Sequence, residues 1–372
     1  MSFNQRNQIN NVLRNNHINK IQKTIYSKKR NYGIDLLRIF SMINIINLHI
    51  NRKIGVFKID SKNIQFKNIW RLEAFSFFAV DCFGLISGIV GFNAYKFSNL
   101  IYLWFISLFY CVAISVSLVI ENRIHFNLKS LFLSFFPFLL NLNWYFNAYF
   151  IMYLFLPFIN FGIKYINKKT FRNIIFFYVL IFSIYNTSTS FFGKTQYNFL
   201  LNGYSSSWLT ILYIIGSYFG KYLLENINKS SNSIKCFYLL NYIGFSFLSS
   251  EIFFISKKIF LISYLSPTIL FGALSLIIIF YTISITNSLI IKIIKFITPL
   301  VFSVTLFHCR LLSLKFNIVL LLFKSIKGEN YNFFKIYLVS ILVFLFCITI
   351  DFMRSILFKA LKIREISLFI MF

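Results

Sequence analysis

Arg38 and His49 sit eleven positions apart in the apolar run GIDLLRIFSMINIINLHI, residues 33–50. At about 3.6 residues per turn that spacing completes almost three turns, so both side chains project on nearly the same side of one helix, about 16 Å apart along its axis. A fixed cation and a titratable base are expensive to insert into an apolar span and mark a functional site by default. Asp35, three positions before Arg38, can pair with it and lower the cost of burying both. The competing reading is that Asp35 and Arg38 mark the headgroup boundary and that His49 is an inert interfacial histidine.

A second constellation follows in VDCFGLISGIVG, residues 80–91. Asp81, Gly84, Gly88 and Gly91 recur at helical spacing and form a narrow stripe of small and polar residues, with Ser87 beside it. Gly84 and Gly88 make a GxxxG pair, which suits close approach of another helix. A lone acid in such a helix seeks a partner, and Arg38 and His49 are the candidates for Asp81. Further on, NWYFNAYFIMYLFLPFIN, residues 143–160, opens with Trp144 and Tyr145, which an aromatic interface belt explains. Asn147 and Tyr149 either line a polar cavity or belong to that belt. His308, in FSVTLFHC, is a second histidine in an apolar run, structural or part of a pocket. His17 and His125 lie in polar segments. The four histidines never approach a spacing such as HExxH, and the chain has no Gly-rich phosphate loop or GxSxG elbow. On spacing alone, a metal or nucleotide-hydrolysing mechanism has no support.

The elements that must hold these residues are membrane helices. The chain is 58% hydrophobic and 13% charged, against roughly 25% charged for a soluble domain. Apolar runs near 33–50, 72–95, 100–120, 129–142, 145–163, 173–187, 204–224, 235–255, 260–285, 297–323 and 333–353 predict an all-α polytopic bundle of about ten transmembrane helices, the short 129–142 run being the least span-like. Connections are short, and the longest polar one, 51–71, carries six Lys or Arg and ends in Trp70-Arg71. The activity therefore belongs to the membrane domain, residues 33–355. Residues 1–32 hold seven Lys or Arg and no acid and read as a disordered basic cytoplasmic tail, with no cleavable signal peptide. Residues 356–372 read as a basic C-terminal tail. The net charge of +28 resides in loops and tails, where it meets anionic lipid headgroups rather than nucleic acid. The five cysteines are scattered and suggest no disulfide framework.

With these motifs in this order, the chain resembles the acyltransferase-3 family of multi-pass membrane acyltransferases, which O-acylate bacterial surface glycans. The matching features are the basic residue and histidine Arg38 and His49, the aspartate and Ser-Gly pair of VDCFGLISGIV, the Trp-aromatic-aromatic…Pro-Phe-x-Asn segment from Trp144 to Asn160, and FSVTLFHC around His308. The chain departs from the family pattern in keeping only Lys96 after the second span and in having Tyr149 where some branches carry a glutamate, which resembles the capsule and exopolysaccharide branch. The resemblance implies acetyl-CoA as donor, entering from the cytoplasm, and a glycan or lipid-linked glycan as acceptor, with no metal. It further implies Arg38 as the group binding anionic parts of CoA and Ser87 as a donor-site residue. His49 would be the general base on the acceptor hydroxyl or a transient acyl carrier, oriented by Asp81; Asp35, Tyr149 and His308 are pocket candidates. Rival readings are a polysaccharide flippase or transporter, which predicts an internal repeat, and a many-span glycan polymerase, which needs a large outward loop.

Overall fold

The computed structural model describes residues 30–55, 64–120, 132, 135–136, 143–193, 198–227, 231–312 and 332–370. All but the last residues of the basic N-terminal segment, most of the 129–142 run, His17 and His125 lie outside the described residues.

From Gly33 onward the described chain is a bundle of helices without strands. In chain order they are α1 Tyr32–Ile54, α2 Ile64–Gly91, α3 Phe97–Ile120 and α4 Trp144–Tyr165. Next come α5 Lys168–Phe191, α6 Ser206–Tyr218, α7 Asn232–Ser256 and α8 Pro267–Thr282. The last are α9 Ser288–Ile297, α10 Val301–Leu311, α11 Phe333–Ala360 and α12 Ile363–Phe369. Among the described residues eight helical stretches are long and apolar enough to cross a membrane, with α9 and α10 counted as one and Pro267–Thr282 a shorter apolar helix besides. The surface agrees with a lipid environment. Phe158, Ile255 and Phe334 are exposed, whereas Asp81, Asp351 and Asn47 are buried.

In lipid, every helix-terminal N–H needs a partner from the protein. Ser and Asn supply it here. Asn143, Asn167, Ser205, Ser231, Ser266, Asn287 and Asn332 each cap the helix that follows with a side-chain oxygen.

Several boundaries differ from those expected. The polar stretch 51–71 is helical at both ends; at its second end Arg71 donates to Glu251 of α7 at 2.7 Å, and Trp70 packs on Phe253 with ring centroids 4.0 Å apart. The 297–323 run begins earlier than expected, in α9, and among the described residues α9 passes into α10 through a 3₁₀ turn, Thr298–Leu300, where Pro299 cannot supply the N–H that a regular α-helix would use. The segment 356–372, read as a tail, continues α11 to Ala360 and then forms α12, which packs on α3.

Two interfaces set the frame. On α2, Gly88 lies so close to α6 that a Cβ there would collide with the backbone of Tyr213, and a Cβ on Gly216 would collide with that of Leu85. The GxxxG stripe of α2 thus meets a second one, Gly216 and Gly220, on the helical turns of 206–223. On α1, Asn44, Asn47 and Asn51 form a polar ladder roughly opposite the Arg38–His49 face. Asn47 donates to Ser76 (2.9 Å), Ser76 to Asn44 (3.1 Å) and Asn51 to Glu73 (2.8 Å). Each such bond contributes about 0.6–2 kcal/mol between membrane helices, and together they fix the rotation of α1.

Candidate active site

With α1 locked from behind, its Arg38–His49 face looks into two adjoining cavities. Arg38 lines one of about 400 Å³, within the roughly 300–1,000 Å³ typical of small-molecule sites. His49 lines one of about 130 Å³, room for a few atoms at about 30 Å³ per water-sized group. Tyr145 of α4 is the residue common to both linings.

The Arg38 chamber is built by α1, α2, α3, α4 and the 3₁₀ turn before α10. Arg38 donates to Asp35 at 2.8 Å, the pair that their spacing suggests, and its side chain retains 24% exposure. Ser87 donates to the Phe83 carbonyl of its own helix at 2.8 Å, and it lines this chamber together with Tyr149. Tyr145, Tyr149 and Tyr153 recur at every fourth position of α4 and make its aromatic wall; Tyr145 and Tyr149 stack with centroids 6.1 Å apart. From the far end of the chain, Arg364 of α12 enters the same chamber, held by a bond to Asn99 (3.1 Å) and by the face of Tyr102.

The His49 chamber holds a second histidine. His308 of α10 stands with its ring centroid 4.9 Å from that of His49, at an interplanar angle of 58°. Its Nδ1 lies 2.7 Å from the Val304 carbonyl, which can only accept, so Nδ1 carries a proton and Nε2 points at Cys309 Sγ, 3.3 Å away. Asn143 ties α4 to α10 by donating to the Thr305 carbonyl at 2.6 Å. Arg52 and Glu73 complete the polar lining.

Beyond His49 lies a third cavity, of about 280 Å³, which shares Arg52, Glu73, Phe77, Tyr204 and Tyr264 with the His49 chamber. Its rim includes a left-handed turn. Leu201 and Asn202 have φ of 46° and 56°, and Gly203 has 91°. Non-glycine residues rarely adopt this region, and such strain gathers at binding sites. A Cβ at Gly203 would meet Cβ of Tyr264 at 2.5 Å, so the turn brings the backbone against Tyr264 and delivers Tyr204 beside it, centroids 5.1 Å apart.

The structure therefore brings Arg38, Ser87 and Tyr149 into one chamber and His49 and His308 into the next. Asp81 goes elsewhere. It is fully buried on α2 and accepts a hydrogen bond from Trp208 Nε1 of α6 at 3.2 Å, across the glycine interface, and it does not line the His49 chamber. Sequence reasoning missed Cys309, Glu73 and Arg364. Cys309 was legible as the neighbour of His308, whereas Glu73 stood at the start of the 72–95 run and Arg364 in a segment read as a tail. Spacing along the chain also hides that His49, His308 and Cys309 converge, with one ligand-capable atom from each within 4.8 Å of the others.

A multi-pass helical bundle that brings a cation and a histidine pair to adjoining chambers has the outline of a membrane enzyme. The family model described as an acyltransferase domain, Acyl_transf_3, matches residues 31–352, and the chain belongs to that family. It is a membrane acyltransferase. The matched residues include every chamber residue named above except Arg364. No curated protein and no solved structure matches the chain.

Proposed function

We propose that this acyltransferase moves an acetyl group from cytoplasmic acetyl-CoA to a hydroxyl of a cell-surface glycan, in the capsule or exopolysaccharide branch of its family. The observation that carries the reading is that one face of α1 presents Arg38 and His49 to adjoining cavities that meet at Tyr145. The Arg38 chamber suits the donor. Its two guanidiniums, Arg38 and Arg364, match phosphate oxygens, and the roughly 16 Å to His49 suits an extended pantetheine arm. The third cavity, at the opposite end of α1, suits the acceptor, with aromatic faces at Trp70, Tyr204 and Tyr264 and polar groups at Arg52, Glu73 and Asn202.

In this reading the protein lies in the cytoplasmic membrane with its N-terminus in the cytoplasm, and donor and acceptor approach from opposite faces. His49 takes the proton of the acceptor hydroxyl as that oxygen attacks the thioester carbonyl, and the CoA thiolate leaves. The small His49 chamber admits the reacting atoms and little water. Asp35 orients Arg38, Ser87 and Tyr149 shape the donor chamber, and Asp81 positions α2 through Trp208.

The test is O-acetylation of the surface glycan, followed by NMR in a deletion strain complemented with wild type or His49→Ala at equal membrane levels. Acetyl groups restored by wild type alone support the reading. If both proteins restore them, His49 is not the base. A change in glycan export without a change in acetylation would instead mark a flippase.

A further inference from the structure

The mechanism above leaves a thiol unused at its centre. Cys309 follows His308 on α10 and lines the His49 chamber. Its Sγ lies 3.3 Å from His308 Nε2, and one ring nitrogen of His49 stands within 4.8 Å of the same cluster. The Val304 carbonyl holds the proton of His308 on Nδ1, so Nε2 is available to accept the thiol proton. A thiol in contact with an imidazole nitrogen that can take its proton is the arrangement that yields a thiolate nucleophile. Among the other described cysteines, Cys82, Cys111 and Cys347 are buried and Cys236 is exposed, and none of them lines the His49 chamber.

We infer that Cys309 is a catalytic nucleophile that carries the acyl group as a thioester between donor and acceptor. This rests on the acetyl-CoA reading and adds a covalent step to it. His308 Nε2 takes the thiol proton, and Cys309 Sγ attacks the acetyl carbonyl carbon of acetyl-CoA. The bond from that carbon to the CoA sulfur breaks, and the CoA thiolate leaves with the proton returned by His308. One thioester replaces another, so no further co-reactant is required. The acceptor hydroxyl then attacks the Cys309 thioester as His49 removes its proton, and that proton passes to Sγ as the carbon–sulfur bond breaks. A relay also lets CoA leave toward one face before the acceptor arrives from the other, within a chamber of about 130 Å³ that holds few groups at once.

The experiment uses the full chain in lipid nanodiscs with radiolabelled acetyl-CoA and no acceptor. Wild type is expected to retain acetyl label that neutral hydroxylamine releases, and peptide mass spectrometry is expected to place it on Cys309. Cys309→Ala should take up none and lose transfer, whereas Cys236→Ser should behave as wild type. Cys309→Ser should trap a hydroxylamine-resistant ester, which shows that the site folds and that the position itself is acylated. Transfer by Cys309→Ala at the wild-type rate overturns the relay and leaves the acyl-transfer reading intact. An unlabelled wild type that contains stoichiometric zinc also overturns the relay and makes His49, His308 and Cys309 a metal site. Wild type that never consumes acetyl-CoA, even with acceptor, overturns both readings.

Discussion

His49 and His308 come from helices about 260 residues apart in sequence, yet their rings stand 4.9 Å apart across one small chamber. The asparagine ladder behind α1 and the Asn143–Thr305 bond between α4 and α10 hold them there. His308 has one nitrogen tied to its own helix and the other turned on Cys309, whereas His49 lines a chamber that shares Arg52 and Glu73 with the third cavity.

Replacing His49 by Gln keeps the volume and removes the base. Transfer to the glycan is expected to fall by about 10²–10⁴, the range for a positioned general base, with membrane levels unchanged. Acetyl transfer assayed in nanodiscs reads the effect, and transfer within a factor of a few of wild type would remove His49 from the mechanism.

Arg364 lies outside the family-matched residues but shares the Arg38 chamber. Arg364→Ala is expected to raise KM for acetyl-CoA by about 10–100-fold, from the loss of one charged hydrogen bond worth roughly 1.5–3 kcal/mol. The same variant should handle acetyl-pantetheine, which lacks the nucleotide phosphates, as wild type does. Equal losses on both donors would show that α12 acts only by packing.

Arg38→Lys retains the charge but not the planar fork that meets both Asp35 and a phosphate. An intermediate KM, between wild type and Arg38→Ala, is the expected result. A Lys variant indistinguishable from wild type would mean that charge alone suffices.

Asp351 and Arg354 pair inside α11, and Tyr110 of α3 donates to Asp351 at 2.7 Å. Asp351→Leu leaves a buried guanidinium without its counter-ion and is expected to cost about 3–5 kcal/mol. The double change Asp351→Leu with Arg354→Met should recover most of that loss. Thermal unfolding in detergent compares the three, and a single variant as stable as wild type would show that Arg354 reaches water.

Gly88→Val would drive a side chain into the backbone of α6. Poor membrane accumulation and a lowered Tm are expected, together with loss of the Asp81–Trp208 bond that the same interface carries. Tryptophan fluorescence of Trp208 would report the separation, and normal accumulation with an unchanged Tm would mean that the two helices are less tightly joined than their glycines indicate.

Much of this was legible in one dimension, where a short-range rule applies. Helical phase placed Arg38 and His49 on one face, three-residue spacing paired Asp35 with Arg38, and the GxxxG stripe of α2 announced a close neighbour. Long apolar runs identified an all-helical membrane protein, because backbone in lipid must satisfy its own hydrogen bonds. Helix ends are less legible, since Trp70-Arg71 at the end of 51–71 reads as an interfacial anchor, whereas Arg71 meets Glu251 and Trp70 meets Phe253 within the bundle. What only the tertiary structure decided is which side chains meet across helices. Asp81 went to Trp208 rather than to His49, His308 came to His49, and Cys309 and Arg364 joined chambers that their own segments do not suggest. Such pairings depend on how each helix is rotated and crossed, and asparagine ladders and glycine contacts between distant segments set that geometry, which no single segment encodes.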